Sequence, residues 1–172
     1  MKQPEHSHIR VHTTTGTMGH SLKDFYPLIA ILLLVGALTI AGVYIWQQDW
    51  MLAFMGYFFL LFGALKIVRI NGFVEAYQMY DVLAKRSKAY AYIYPFLELG
   101  FGIAYIFAWQ VELVSAVVAP IMLIGAYGVF LKLRQHEEIP CACLGTVFKV
   151  PMTWVTLGED LLMAGMAVMI LL

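Results

Sequence analysis

Charge is scarce in this sequence and cysteine nearly absent: 13% of the 172 residues are Asp, Glu, Lys or Arg, and only two are cysteine. With 62% hydrophobic residues and a mean hydropathy of +0.78, that scarcity excludes a soluble domain of ordinary composition and marks an integral membrane protein. Acidic and basic residues balance at eleven each, so the chain lacks the net positive charge that holds nucleic acids, and no nucleic-acid partner is expected. Also missing are a Gly-rich nucleotide loop, a Cys-x-x-Cys-His haem site and a His-Glu-x-x-His zinc motif. The first apolar stretch has the length of a span, not the roughly 7 to 15 residues of a signal-peptide core, so no cleaved leader is expected.

What the chain has in quantity is long apolar runs. Five stand out, each near the ~20 residues that a helix rising about 1.5 Å per residue needs to cross roughly 30 Å of hydrocarbon. They run from Tyr26 to Trp46, Trp50 to Val68, Ala89 to Trp109, Val111 to Leu131 and Met152 to Leu172. The polar turn Gln47-Gln48-Asp49 makes an antiparallel hairpin of the first two, with tryptophan at both turn-side ends, as interfacial belts have. Residues 1–25 hold His6, His8, His12 and His20 and too little apolar surface to offset ordering entropy, which predicts a mobile, His-containing arm. Between the second and third runs, Phe73, Tyr77 and Tyr80 share one face of an amphipathic helix or ordered loop at the interface.

Pro95 and Pro120 lie inside runs and are expected to kink them. Ala37 with Ala41, Gly100 with Ala104, and Ala164 with Gly165 and Val168 are small-residue sets suited to close helix approach. The expected fold is all-α, a polytopic membrane bundle of five spans. Along the chain come the tail 1–25, the first helix with its turn, 26–49, and the remaining runs, 50–172.

All eleven Lys and Arg fall in the tail, in the loops after the second and fourth runs, or at the helix ends flanking these. The two opposite turns have none. The positive-inside rule then puts the amino terminus and both basic loops in the cytoplasm, with Asp49, Glu112 and the carboxyl terminus outside. The protein is thus expected to cross the inner, cytoplasmic membrane several times. Cys141 and Cys143, in the loop from Lys132 to Val150, face a compartment that keeps thiols reduced, and two free thiols are expected.

Those cysteines are the candidate catalytic residues. A thiolate is both a nucleophile for disulfide exchange and a soft metal ligand, so redox chemistry and capture of a thiophilic metal are both open, as is plain apolar filling. Pro140 and Gly145 favour a turn. A bridge across one residue is crowded and suits transient exchange over a permanent staple. In the metal alternative the two sulfurs, with His136 or a partner's ligands, take Cu(I), Zn(II) or Hg(II), since two thiolates alone do not close a tetrahedral zinc site. His136 on one hand, and Glu137 and Glu138 on the other, tune a thiol in opposite directions.

Ionisable residues inside the apolar runs are Lys66, Glu98, Glu159 and Asp160, with Arg69 at an edge. Each costs about 2.5 to 3.5 kcal/mol at the centre of a membrane helix and persists only with a partner or a task. Lys66 and Arg69 sit near a helix end, where their stems can snorkel. Glu98 lies on the same side of the membrane, positioned to pair with Lys66, either as a structural ion pair or as part of a substrate, proton or quinone site. Glu159 and Asp160 face the cysteine loop from below. Alternatively they mark an interfacial stretch that leaves only residues 161–172 apolar, too short for a straight crossing.

Three short patterns follow one another: Phe62-Gly63-Ala64-Leu65-Lys66, Pro95-Phe96-Leu97-Glu98-Leu99-Gly100 and Cys141-Ala142-Cys143-Leu144-Gly145. Together they resemble the MauE branch of the DoxX-like membrane proteins over about Trp50 to Leu172. The resemblance implies a DoxX-like four-helix core, to which Tyr26–Trp46 adds a helix, and carries the family pattern onto Lys66, Pro95, Glu98, Cys141, Cys143 and Gly145. Leu144 stands where an aromatic is commoner in that family. Implied too is a redox-associated role, in thiol–disulfide exchange or maturation of partner proteins in methylamine utilisation, with a thiol or disulfide protein as partner. The alternatives are a soft-metal binding or transport protein with a metal-handling partner, and a membrane scaffold without catalysis. A quinone or a soft metal ion is the cofactor these readings would admit. Maturing an exported enzyme calls for thiols on the outer face, whereas the charge distribution places them inside.

Overall fold

A computed structural model describes residues 26–135, 141–144 and 154–172. The His-containing tail, His136 to Pro140 and Gly145 to Thr153 lie outside the described residues, and with them the expectations of a mobile arm and of His136 as a ligand. The described elements are all helices: α1 (Tyr26–Trp46), α2 (Trp50–Val68), α3 (Ile70–Tyr77), α4 (Val82–Arg86), α5 (Lys88–Ile106), α6 (Val111–Arg134) and α7 (Trp154–Leu171).

Four of these, α1, α2, α6 and α7, are long and apolar enough to cross a membrane. The helix that falls short of the expected five is α5. It has 19 residues, but Lys88, Glu98, Pro95 and four tyrosines displace aliphatic side chains along it. The last segment, by contrast, is one continuous helix through Glu159 and Asp160. Both interior prolines sit within unbroken helices.

Local chemistry sets the helix starts. Asp49 accepts from the Met51 and Leu52 N–H groups at 2.9 and 3.3 Å, and Ser87 accepts from Tyr90 N–H at 3.3 Å, satisfying donors that a helix start leaves open. The tight turns between α1 and α2 and between α5 and α6 place Gln47, Ala108 and Gln110 at φ of 52°, 49° and 49°, in the left-handed region.

Packing runs chiefly through two helix pairs, α2 with α5 and α6 with α7, with α1 laid against α2. Glycine makes the first pair possible. A Cβ on Gly102 would stand 2.9 Å from the Gly56 carbonyl and from the Leu60 nitrogen, and one on Gly63 would stand 3.2 Å from Glu98 Cβ and the Pro95 carbonyl. Of the small residues expected at interfaces, Ala104 and Ala164 are buried, but Gly100 and Gly165 have no neighbour within 4 Å and point away. Between α5 and α6, the Tyr105 and Ser115 hydroxyls meet at 2.9 Å in the core.

Phe73, Tyr77 and Tyr80 do share a face, but it turns inward. The segment breaks at Gln78 to Asp81, and all three rings are buried against the bundle. Gly128 of α6 holds that break in place, because a Cβ there would stand 2.6 Å from the Tyr80 carbonyl.

Candidate functional site

Gly63 lets α5 come so near to α2 that Lys66, one turn further on, meets Glu98 inside the bundle. Both side chains are buried, at 8% and 3% exposure, and they form an ion pair. The Lys66 ammonium also lies over the rings of Tyr94, at 5.0 Å from the centroid, and Phe73, at 5.6 Å. Lys66 therefore does not snorkel, as its position near a helix end led us to expect. A buried carboxylate and two aromatic faces hold it more strongly than headgroup water would. Arg69, a turn beyond, is exposed.

These groups border a cavity of about 30 Å³ that is also lined by Tyr77, Tyr80, Glu159, Asp160, Thr156 and Cys143. The four intramembrane charged residues of the sequence thus converge on one space, from α2, α5 and α7, with a cysteine at its roof. Such a volume takes one or two water molecules. It is about a tenth of a typical small-molecule pocket, so the residues present do not fit a quinone headgroup.

Above the cavity the chain turns at residues 142–144, bringing the Cys141 and Cys143 Cα atoms to 5.4 Å. The two sulfurs are joined in a disulfide, where the argument from compartment expected free thiols. The turn permits this, since it brings both side chains to the same side. Cys141 is buried and Cys143 partly exposed. The Cys143 N–H donates to Cys141 Sγ at 3.2 Å, and the Thr156 hydroxyl donates to the same sulfur at 3.6 Å.

Tyr80 ties the connector to this turn. Its phenol is held well above the ordinary range, first by burial and then by the negative charges of Asp160, Asp81 and Glu98, while a backbone hydrogen bond from Ala142 opposes the shift. Tyr77 is raised likewise, first by burial. Asp81, fully buried, has its carboxyl raised by desolvation, opposed first by the Ala84 N–H. Its Oδ1 caps α4, accepting from Leu83 and Ala84 at 2.9 and 2.7 Å.

Among the described residues no three His, Cys, Asp or Glu side chains converge as a metal site. Sequence reasoning missed Thr156, Tyr80 and Tyr94. The only signal for Thr156 was a hydroxyl in an apolar run, and nothing in the spacing of the tyrosines says that they face a lysine from another helix.

A search of curated proteins and a search of solved structures each returned no match. A family model does match, that of the methylamine utilisation protein MauE, over residues 48–172. That span starts in the turn before α2 and takes in the three sequence patterns, the Lys66–Glu98 pair and the cysteine turn. Covering well over half of the chain, the match makes this a multi-pass membrane protein that belongs to the MauE family.

Proposed function

We propose that this protein performs thiol–disulfide exchange with a partner protein at the inner membrane, in service of methylamine utilisation. The observation that carries the reading is the asymmetry of the cysteine pair: Cys143 is accessible, while Cys141 is buried with two hydrogen-bond donors aimed at its sulfur. A partner thiolate attacks Cys143 Sγ, the disulfide bond breaks, and Cys141 leaves as a thiolate. The Cys143 N–H and the Thr156 hydroxyl are already in place to stabilise that charge, and a stabilised thiolate leaves faster. The partner's second thiolate then attacks its own sulfur in the mixed disulfide and releases Cys143. Two electrons pass from the partner dithiol to the pair. Run backwards, the same steps reduce a partner disulfide.

The roles are separable with single thiols. Cys141→Ser leaves Cys143 alone, and it should react readily with the aromatic disulfide 5,5′-dithiobis(2-nitrobenzoate). Cys143→Ser leaves Cys141, which should react at least ~10-fold more slowly because it is buried. A faster Cys141 would reverse the assignment. Full function in the host with both cysteines replaced by serine would remove the exchange reading and leave a scaffold.

The cysteine turn is assigned to the cytoplasmic side. Arg69, Lys85, Arg86, Lys88 and Arg134, all exposed, cluster at the helix ends nearest that turn, which supports the orientation by the positive-inside rule.

A further inference from the structure

We propose that the cavity beneath Cys143 is a proton-binding site whose carboxyl groups, bridged by water, supply the proton taken up by the Cys143 sulfur when the disulfide is reduced. The inference rests on the exchange reading above and adds the source of the proton.

Three carboxyls, Glu98, Glu159 and Asp160, share the cavity with one ammonium, Lys66. Lys66 neutralises one negative charge. The excess must be met by bound protons or by another cation, because uncompensated charge in such a space is very costly. The proton fits that need, since water in the cavity can carry it to the carboxyl oxygens. Glu98 gives the independent sign of an occupant. It is 3% exposed, one of its oxygens meets Lys66, and Oε2 is buried without a hydrogen-bond partner; Glu159 Oε1 is in the same condition. A buried acceptor in that state calls for a proton or a water, and the cavity has room for water.

The other titratable groups facing the cavity are phenols: Tyr77 on α3, Tyr80 on the turn after it, with Asp81 behind, and Tyr94 on α5. Burial keeps the Tyr77 and Tyr80 protons on their oxygens. From α6 the lining is Met122 and Gly125, which do not titrate. Proton transfer to Cys143 thus falls to the carboxyls.

The balance is simple. The partner dithiol loses two electrons and two protons as its own disulfide forms. The Cys141–Cys143 bond takes the two electrons and becomes two thiolates. Cys143 takes a proton from a cavity carboxyl, which is recharged through water by one proton released from the partner. Cys141 remains a hydrogen-bonded thiolate, and the second proton goes to solvent.

Infrared difference spectra of the full-length protein in lipid nanodiscs, reduced with dithiothreitol minus oxidised, in light and heavy water, test this. Expected is a protonated-carboxyl band that changes on reduction, shifts in heavy water and is lost in Asp160→Asn or Glu159→Gln. Reduction should slow at least ~10-fold in these variants, with an altered pH profile. Glu112→Gln, at the exposed start of α6, should change neither. If Glu159→Gln fails to fold, Asp160→Asn carries the comparison. No carboxyl band, a band unaltered in Asp160→Asn, or one that follows sodium or potassium concentration instead of heavy water, overturns the proton site. Rapid reduction without the band would sink the proton site and spare the exchange function. A pair that no dithiol reduces would sink the exchange function, and with it transfer to Cys143.

Discussion

Lys66 shows at the scale of one residue how a membrane protein keeps a charge. Its ammonium has a carboxylate on one side and aromatic faces on the other, so most of the desolvation cost is offset locally. Removing one partner leaves the other buried and uncompensated. Lys66→Met or Glu98→Leu alone should therefore destabilise the protein by about 3–5 kcal/mol, while the double variant should recover most of the loss. Unfolding in mild detergent by a denaturant series would measure it; a double variant as unstable as the singles would show that packing, not charge, holds the contact. The pairing was legible in the sequence, because two opposite charges at similar depth in apolar runs have few other ways to persist. What was not legible is how Lys66 is surrounded. The rings come from a connector and from α5, and their approach depends on how the chain folds back.

At the scale of elements, the ends of α1 and α2 could be read from length, hydropathy and their polar turn, because the bilayer imposes the first two on any sequence. The status of α5 could not. Tyr94 and Glu98 lower its hydropathy because they look into the cavity, and facing is set by tertiary packing that a one-dimensional profile averages away. The same limit misdirected the small-residue pattern, which picked out Gly100 when the contact belongs to Gly102, two positions and about half a helical turn away. That contrast gives a clean pair of variants on one helix. Gly102→Ala forces α2 and α5 apart against backbone atoms and should cost about 1–3 kcal/mol, whereas Gly100→Ala should be neutral or slightly stabilising. Equal thermal stability of the two variants would mean that the α2–α5 crossing yields easily.

For the whole molecule, the described basic residues, the cysteine turn and the intramembrane acids lie towards one side, and the proposed orientation makes that side cytoplasmic. Reduced protein in intact cells should accordingly leave Cys143 unlabelled by a membrane-impermeant maleimide until the cells are lysed. Labelling without lysis would invert the topology and return the pair to the outer face, where maturation of exported enzymes takes place. The cysteine turn was legible as a candidate site from two residues and their spacing. Its place on the cavity was not, because Cys143 and Glu98 are far apart in sequence and border one space only once α5 and α7 have packed into the bundle.

The family match begins at residue 48, just past the end of α1, and α1 buries only Leu28, Val35 and Gly42. A helix placed in this way lends no residue to the cavity lining, but it changes the parity of crossings. With the cysteine turn kept on its own side of the bilayer, a chain that started at α2 would have to begin on the opposite side from this one. In the proposed orientation α1 is therefore a topological key: it sets the compartment from which the helices after it are threaded.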